Sequence, residues 1–220
     1  MIEWQIRRIR KSIAEHIVLA TSEDNSDNEL SKIVRNLGVE VFRGSLTDVH
    51  SRFVAILEKH NPAYFIRLTG DCPVVMPDLL NLMLEEFESS QFDYFSNINP
   101  PTYPDGLDIE IISTRAFLEF SKNELTDKER EHVTLGMRQR SSIFNLGNFE
   151  NRHDYSKMRW TVDYEEDFLF ISNVFDYFKG QETEFSSGDL IKAVQSGSIP
   201  DNAISHDFRN IALTERTELE

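Results

Sequence analysis

Short apolar segments alternate with amphipathic segments of helical period over the first 96 residues of this 220-residue chain. The apolar segments, which predict buried strands, are residues 17–21, 39–42, 64–71 and 92–96. The helical segments, in which apolar side chains recur at intervals of three or four, are residues 2–9, 28–37, 47–60 and 77–89. Strands that alternate with helices in this way predict parallel βαβ units and a three-layer α/β fold.

Glycine, proline and capping residues predict where helices end and where the second half of the chain begins. We expect Gly38 to close one helix and Thr47 or Ser45 to cap the next. Residues 99–106 contain three prolines and a glycine and predict a loop. Beyond it we predict strands at residues 107–112, 144–146 and 159–162, helices at residues 114–123, 127–140, 165–178 and 190–194, and a frayed tail at residues 213–220.

Composition excludes several classes of protein. The formal net charge of −15 is opposite to the basic surface that binding to DNA or RNA requires. Cys72 is the single cysteine, so neither a disulfide framework nor a cysteine-based zinc site is expected. The chain has no apolar run long enough for a membrane span and no signal-peptide pattern at its start, so we expect a cytoplasmic protein.

Asp71 is the residue that points most directly to chemistry. It follows the apolar segment Tyr64-Phe65-Ile66-Arg67-Leu68 and lies between Gly70 and Pro73, which mark a turn. Ligands of open α/β sheets bind at the carboxyl ends of strands, and Mg²⁺ is held by one or two carboxylates together with substrate phosphates. Asp71 is therefore a candidate Mg²⁺ ligand. As an alternative, it caps the turn before Pro73.

Asp163 directly follows the strand predicted at residues 159–162 and could complete such a Mg²⁺ site. As an alternative, it caps the helix that begins at Tyr164. Arg67 could reach phosphate or base, or pair with a carboxylate. Thr69 and Gly70 could present a hydroxyl and an N–H group to ribose or phosphate.

Ser45, Asp48 and Arg52 begin a predicted helix, where N–H groups suit anions. They are candidates for nucleotide binding, and ordinary capping with an Asp48–Arg52 salt bridge is the alternative. Cys72 is expected to be a small buried side chain rather than a nucleophile.

Six motifs follow one another along the chain. They are Ile17-Val18-Leu19-Ala20-Thr21-Ser22, Val41-Phe42-Arg43-Gly44-Ser45 with Asp48-Val49 and Arg52, Arg67-Leu68-Thr69-Gly70-Asp71-Cys72-Pro73, Tyr103-Pro104-Asp105-Gly106-Leu107-Asp108, Arg130-Glu131-His132-Val133-Thr134 and Arg159-Trp160-Thr161-Val162-Asp163. In this order they resemble the cytidylyltransferase family that includes acylneuraminate and 3-deoxy-manno-octulosonate cytidylyltransferases, and within it the group of the spore coat polysaccharide biosynthesis protein F.

The resemblance implies a Rossmann-like fold of the nucleotide-diphospho-sugar transferases, with a mostly parallel sheet in a single domain that spans the chain. It implies transfer of CMP from CTP to a sugar or sugar acid, with Asp71 and Asp163 as the Mg²⁺ ligands. Tyr103, Asp105 and Asp108 would belong to an acceptor loop. Glu131 and His132 would face the acceptor, although a lone histidine in a helix is more often structural. Residues 97–140 would form an acceptor or dimerisation insert.

The start of the chain departs from this family. Its members begin with a strand and a loop rich in Gly, Ser, Arg and Lys that cradles the triphosphate, whereas Met1-Ile2-Glu3-Trp4 matches the helix that follows. We therefore expect the first strand and the phosphate loop to be missing. Two buried strand edges would lose partners, at about 1–3 kcal/mol for each unpaired group. An upstream translation start, a truncated inert product and a folded relative without catalysis are the three explanations.

The sequence thus predicts a Mg²⁺-dependent nucleotidyltransferase for surface polysaccharide or glycan synthesis. The rival reading is a catalytically inactive relative that pairs with or regulates a partner subunit. A glycosyltransferase that uses a nucleotide sugar ranks lower, because Asp105 and Asp108 do not form an Asp-x-Asp motif. A nicotinamide-dependent dehydrogenase is disfavoured because the glycine fingerprint is absent.

Overall fold

The structure, a computed structural model, describes residues 1–202. Its strands are β1 (Val18–Ser22), β2 (Glu40–Gly44), β3 (Tyr64–Arg67), β4 (Tyr94–Ser96), β5 (Glu110–Ser113) and β6 (Leu146–Asn148). Its α-helices are α1 (Ile2–Ile9), α2 (Asn28–Asn36), α3 (Val49–His60), α4 (Pro77–Glu88), α5 (Thr114–Phe120), α6 (Asp127–Glu131), α7 (Leu135–Arg138), α8 (Glu165–Tyr177) and α9 (Ser187–Gln195). The expected frayed tail lies outside the described residues.

Of the two helix ends predicted from capping residues, the structure confirms one and corrects the other. Gly38 follows α2 with φ +70°, a conformation that glycine adopts without steric cost, so this prediction is confirmed. The predicted cap of α3 is wrong: Asp48 rather than Thr47 or Ser45 accepts a hydrogen bond from the Ser51 N–H, at 2.9 Å.

The helix predicted over residues 127–140 is interrupted, so that prediction was wrong as well. Helix α6 ends at Glu131 and α7 begins at Leu135, and between them Val133 has φ +49°. A β-branched residue in the left-handed region is strained. The Val133 carbonyl accepts a hydrogen bond from Nδ1 of His50 at 3.1 Å, which helps to hold it there.

One predicted strand is shorter than expected and another is absent. β3 ends at Arg67, because the chain turns and the Cys72 N–H donates to the Thr69 carbonyl at 3.3 Å. Residues 159–162 form no strand, and Arg159 makes only an isolated bridge with Asp105. Instead, N–H groups of this segment donate to the carbonyl groups of Asp71 and Asp105, which lie in two different loops.

Within the described residues the strands form two sheets, one parallel and one of mixed direction. β1 and β2 are parallel, and a second sheet has the order β3-β5-β4-β6. β4 and β6 are parallel, whereas β5 is antiparallel to both β3 and β4. Three of the four strands of this second sheet run in one direction and only β5 runs against them, so the expectation of a mostly parallel sheet is confirmed, with one antiparallel strand. No helix connects β4 to β5, so the chain returns beside β4 in the opposite direction. β5 lies inside the sheet, so residues 97–140 are not wholly an insert.

A cavity of about 810 Å³ lies between the two sheets. It is lined by β1, by β3 and by apolar side chains of the surrounding helices, among them Ile6, Phe53 and Leu80. Within residues 1–202, β1 pairs only with β2 and β3 only with β5. Each of the two strands therefore has one edge without a strand partner, as the comparison with the family's first strand predicts.

Alternate side chains of the four-stranded sheet enter two different cores, which gives the three predicted layers. Ile66, Phe95 and Ile111 pack in one core with residues of α4, α8 and α9. Tyr94 and Ile112 pack in the other with residues of α3, α5 and α7. No helix in residues 1–202 is long and apolar enough to cross a bilayer.

Candidate functional site

The loop after β3 carries Thr69, Gly70 and Asp71, and a side chain from α1 holds it. Nε2 of Gln5, which is 4% exposed, donates to the Thr69 carbonyl at 2.6 Å and to the Cys72 carbonyl at 3.0 Å. Thr69 Oγ1 lies 3.1 Å from Cys72 Sγ. Gly70 is exposed. The first helix thus fixes the loop that presents Asp71.

Asp71 and Asp163 lie on segments that meet through the backbone. The Val162 N–H donates to the Asp71 carbonyl at 2.9 Å, and Thr161 Oγ1 donates to the same oxygen at 3.4 Å. Asp163 follows directly. The structure therefore brings the two predicted metal carboxylates to the same region, although the segment that carries Asp163 is not the predicted strand.

The predicted acceptor loop joins this region from the other side. The Asp105 N–H donates to the Met158 carbonyl at 2.9 Å, and the Trp160 N–H donates to the Asp105 carbonyl at 2.6 Å. Gly106 has φ +102°, and a Cβ there would lie 2.5 Å from the Thr161 nitrogen. Glycine is required at this position both for its backbone conformation and for the close approach of the two segments.

Arg159 is the centre of a buried ion-pair network. Its guanidinium donates to Asp167 from Nε and Nη2 at 2.9 Å each, to Asp163 from Nη2 at 2.7 Å, and lies 3.3 Å from Asp105 Oδ2. Burial lowers the pKa of Arg159, but the hydrogen bonds that it donates to Asp167 and Asp163 outweigh burial and raise the pKa above its ordinary value.

The carboxylate of Asp167 is 0% exposed. Burial raises its pKa, but the bonds from Arg159 and from the Asp163 N–H outweigh it, and the pKa is lowered below its ordinary range. Oδ2 of Asp167 also accepts from the Tyr164 N–H at 3.1 Å, so Asp167 rather than Asp163 serves the start of α8. The capping alternative for Asp163 was wrong, and Asp163 is instead a half-exposed partner of Arg159.

The thiol of Cys72 is influenced by three carboxylates of this region. The thiol is buried, as the sequence predicted, and burial raises its pKa, followed by the negative charges of Asp71, Asp108 and Asp105. A thiol in this state is not a nucleophile at neutral pH.

Arg67 belongs to a second group of polar side chains, on the face of the sheet that packs against α5 and α7. Its Nη1 donates to Glu110 Oε1 at 3.0 Å, and the two residues are paired across β3 and β5. Ser96 is the register partner of Glu110 on β4. The alternative in which Arg67 pairs with a carboxylate is therefore what the structure shows.

Several buried polar atoms of this second group have no hydrogen-bond partner within the described residues, and we call the group the half-paired cluster. They are Glu110 Oε2, Tyr94 Oη, Ser96 Oγ, His132 Nε2 and Arg138 Nε. Ser96 lies near Tyr94, and its hydroxyl acts to lower the pKa of the Tyr94 hydroxyl, but the two oxygens do not reach hydrogen-bond geometry. Buried polar groups are nearly always satisfied, so this cluster is suited to a polar ligand or to water.

His132 brings the segment between α6 and α7 to the half-paired cluster. Burial lowers the pKa of its imidazole, the nearby Glu131 raises it, and the guanidinium groups of Arg138 and Arg67 lower it further. The imidazole is therefore neutral at neutral pH. The next residue is the strained Val133, and strained residues concentrate at functional sites.

The predicted nucleotide-binding residues Ser45 and Arg52 make contacts within the protein. Arg52 donates to the carbonyl groups of Ser45, at 2.6 Å, and Leu46, at 2.8 Å. Asp48 does not pair with Arg52 as the sequence suggested, but with Arg130, at 2.8 Å. The cause is the turn before α3, whose carbonyl groups lie nearer to Arg52 than the Asp48 carboxylate does.

Tyr103 is 8% exposed and belongs to a core. Its ring stacks on Phe149 with centroids 6.2 Å apart. Burial, followed by the charge of Asp78, raises its pKa. The aromatic ring anchors the predicted acceptor loop, and the negative charges of Asp105 and Asp108 in the same loop help to raise the pKa of Cys72.

Sequence reasoning missed three residues that organise the site: Gln5, Glu110 and Asp167. Gln5 occupies a position of the amphipathic helix that looks solvent-exposed in the sequence. Glu110 interrupts an otherwise apolar strand, which was the available signal. Asp167 lies at the third position of α8, where a carboxylate is ordinary, so nothing local indicated its burial.

Comparisons with known proteins place this arrangement in context. The profile of the family described as Cytidylyltransferase matches residues 1–186. The spore coat polysaccharide biosynthesis protein SpsF of Bacillus subtilis (strain 168) is 30% identical over 199 residues, which cover 87% of this chain and 81% of that protein.

Two solved structures are similar to this chain in fold. A cytidylyltransferase from Leptospira borgpetersenii serovar Hardjo-bovis (strain JB197) superposes with a TM-score of 0.87 at 30% identity, over 92% of this chain and 86% of that one. A CMP:2-keto-3-deoxy-manno-octonic acid synthetase complexed with CTP superposes with a TM-score of 0.60 at 12% identity, over 80% of this chain and 87% of that one. The second likeness concerns the fold alone, a Rossmann-type α/β fold of nucleotidyltransferases.

Proposed function

The chain belongs to the cytidylyltransferase family, and from this premise we propose that it transfers CMP from CTP to a sugar or sugar acid for polysaccharide synthesis and releases pyrophosphate. The observation that carries the proposal is the hydrogen bond from the Val162 N–H to the Asp71 carbonyl, which brings Asp71 and Asp163 to one region. A carboxylate pair beside the ends of strands is the arrangement that a nucleoside triphosphate with its metal ion requires.

Asp71 and Asp163 fit a Mg²⁺ ion in chemistry and in availability. Asp71 is half-buried, and the sulfur of Cys72 lies 3.5 Å from its Oδ1. Asp163 uses Oδ2 for Arg159, and its side chain is 49% exposed. A bound Mg²⁺ would supply charge neutralisation to the phosphates. Arg159 limits the movement of Asp163, since it holds this carboxylate and the buried Asp167 together.

The half-paired cluster supports the acceptor half of the proposal. Arg67 and Arg138 supply two positive charges, and Glu110 supplies one negative charge. Glu110 Oε2, Tyr94 Oη and Ser96 Oγ offer hydrogen bonds to hydroxyl groups. This combination suits a sugar that carries an anionic group. Thr69 and Gly70 lie between this cluster and Asp71 along the chain, where ribose or phosphate would bind.

In the proposed reaction, a hydroxyl oxygen of the acceptor forms a bond to the α-phosphorus of CTP. The bond from that phosphorus to the β-phosphate oxygen breaks, pyrophosphate leaves, and the hydroxyl proton passes to solvent. The protein contributes position and electrostatics: Asp105 and Asp108 order the acceptor loop, and neutral His132 orients the acceptor from the segment after α6.

A second candidate function has its own support. Four arginines near the carboxyl ends of the strands are all bonded to protein groups: Arg43, Arg52, Arg67 and Arg159. Triphosphate transfer needs cations that face the phosphates. The described residues are thus also compatible with a non-catalytic relative that binds a nucleotide or a partner subunit without turnover. We further propose a cytoplasmic homodimer, by analogy with related enzymes.

The deciding experiment measures pyrophosphate released from CTP with Mg²⁺ and a panel of sugars and sugar acids. We expect release with at least one acceptor. Asp71→Ala should lower the rate by about 100-fold or more, because a metal ligand contributes several kcal/mol to the transition state. The matched control is Asp176→Asn on α8, an exposed carboxylate outside the site, which should leave the rate unchanged.

Calorimetric titration with CTP separates the two candidates. Binding of CTP without pyrophosphate release from any acceptor would favour the non-catalytic relative. Absence of both binding and release would contradict both proposals. Full activity of Asp71→Ala would remove Asp71 from the metal role.

A further inference from the structure

Three side chains of types that can bind metals converge at the end of the β1–β2 sheet opposite to the candidate site. His16 lies in the segment between α1 and β1, Glu40 is the first residue of β2, and His60 is the last residue of α3. One ligand atom from each lies within 4.8 Å of the other two. Within residues 1–202 this is the one such group of three among histidine, cysteine and carboxylate side chains.

The separations are close to those of a zinc site. Nε2 of His16 lies 3.3 Å from Glu40 Oε2, and Nε2 of His60 lies 3.1 Å from Glu40 Oε1. Two ligands that are each about 2.0–2.1 Å from a tetrahedral zinc ion lie about 3.3 Å apart. The two imidazole rings meet edge to face, at 69° with centroids 4.7 Å apart, and a ligand nitrogen of each lies within 4.8 Å of the other.

We propose that His16, Glu40 and His60 bind a divalent transition-metal ion, with zinc as the expected occupant. Two imidazole groups and one carboxylate form a donor set that zinc uses, and a fourth position stays open for water. Magnesium is a poor competitor, since it prefers oxygen donors in an octahedral arrangement. This site is therefore distinct in chemistry and in place from the one proposed at Asp71 and Asp163.

Lys59 is the competing cation at this site. Its Nζ lies 2.7 Å from Glu40 Oε1, and its side chain is 63% exposed. The hydrogen bond from Lys59, followed by that from His60, lowers the pKa of Glu40, so the carboxylate is ionised as a metal ligand must be. An exposed ion pair contributes little, so Lys59 can turn into solvent when a metal ion binds.

A metal ion at this position would join three parts of the chain: the segment before β1, the start of β2 and the end of α3. His16 and His60 also line the cavity between β1 and β3. The ion would fix the segment before β1 to the end of α3 across the mouth of that cavity. We therefore expect zinc to stabilise the fold, with no requirement for it in nucleotide chemistry.

The test is calorimetric titration of the chelator-treated full chain with zinc chloride. We expect one ion to bind per chain. His16→Ala and His60→Ala should each weaken binding about 10-fold or more, and the double variant should show no saturable binding. Lys59→Ala should bind zinc about 2- to 5-fold more tightly, because the competing cation is removed. His153→Ala, an exposed histidine that packs beside Tyr155, is the matched control and should bind as the parent does.

Thermal unfolding provides the second measurement. Zinc should raise the melting temperature of the parent protein and of the His153 variant but not that of the double variant. Undiminished zinc binding by the double variant, or the absence of saturable binding by the parent protein, would overturn the proposal. His16 is exposed, so its substitution tests the site even where the His60 variant fails to fold.

Discussion

Two groups of buried charge in this molecule are built in opposite ways. Around Arg159, the guanidinium is shared among three carboxylates, and the most buried of these, Asp167, is bonded on both oxygens. In the half-paired cluster, Arg67 satisfies one oxygen of Glu110, while the other oxygen and the hydroxyl of Tyr94 have no described partner. The first arrangement positions the backbone, and the second leaves binding capacity for a ligand.

The largest loss of stability should follow when the ion-pair network around Arg159 is broken. Asp167→Ala leaves the buried Arg159 without its two-pronged partner, and we expect a loss of about 3–5 kcal/mol in the free energy of unfolding. Urea denaturation measures it. Glu166→Ala, at an exposed neighbouring position of α8, should change stability by less than about 0.5 kcal/mol. A loss below about 1 kcal/mol for the Asp167 variant would show that the network is not structural.

In the half-paired cluster, a substitution should raise the free energy of unfolding rather than lower it. Tyr94→Phe removes a buried hydroxyl that has no partner, so we expect the unfolding free energy to rise by about 1 kcal/mol. Tyr64→Phe is the matched control, since its hydroxyl donates to Glu88 at 2.6 Å and its loss should cost about 0.5–1.5 kcal/mol.

The same pair of variants tests ligand binding. With an active acceptor, Tyr94→Phe should raise the acceptor KM while Tyr64→Phe leaves it unchanged. A Tyr94 variant that is less stable than the parent would mean that ordered water already satisfies the hydroxyl.

The smallest effect concerns pH, where both groups lose stability on acidification but in different windows. The pKa of His132 is lowered by burial, so the unfolded chain takes up its proton first, and stability falls as the pH drops below about 6.5. The pKa of Asp167 is lowered in the folded state, so its contribution is present above about pH 4 and is lost below it.

Urea denaturation at a series of pH values separates the two windows. His132→Gln should reduce the slope between about pH 6.5 and 5 without removing it, because burial also lowers the pKa of His50. Asp167→Asn should flatten only the more acidic part. An unchanged profile for the His132 variant would contradict burial of its imidazole.

The sequence predicted the layers better than it predicted the sheet. Period and punctuation located every helix of the first half, because amphipathic stripes are local features. The antiparallel direction of β5 could not be read in this way, since it depends on how the loop after β4 returns. The break at Val133 was also hidden, because valine is among the residues least suited to a left-handed conformation and long-range bonds hold it there.

In the candidate site, too, local features could be predicted from the sequence and long-range contacts could not. Asp71 was identifiable because a turn follows an apolar segment, and Asp163 because it follows another. Their partners were not, since Gln5, Glu110 and Asp167 act through contacts distant in the chain. Arg67 and Arg52 were both candidates for nucleotide binding, with pairing to a carboxylate as the alternative. Each is bonded to protein groups, a preference that depends on carbonyl and carboxylate positions set by tertiary structure.

The hydrogen bond between Val162 and Asp71 has a consequence for the order in which this protein acquires its form. It joins segments separated by more than a third of the chain, and closing so long a loop costs entropy before any contact compensates it. The carboxylates at Asp71 and Asp163 should consequently meet only in the last stage of folding. During refolding, recovery of metal-dependent activity would then lag behind recovery of helical circular dichroism.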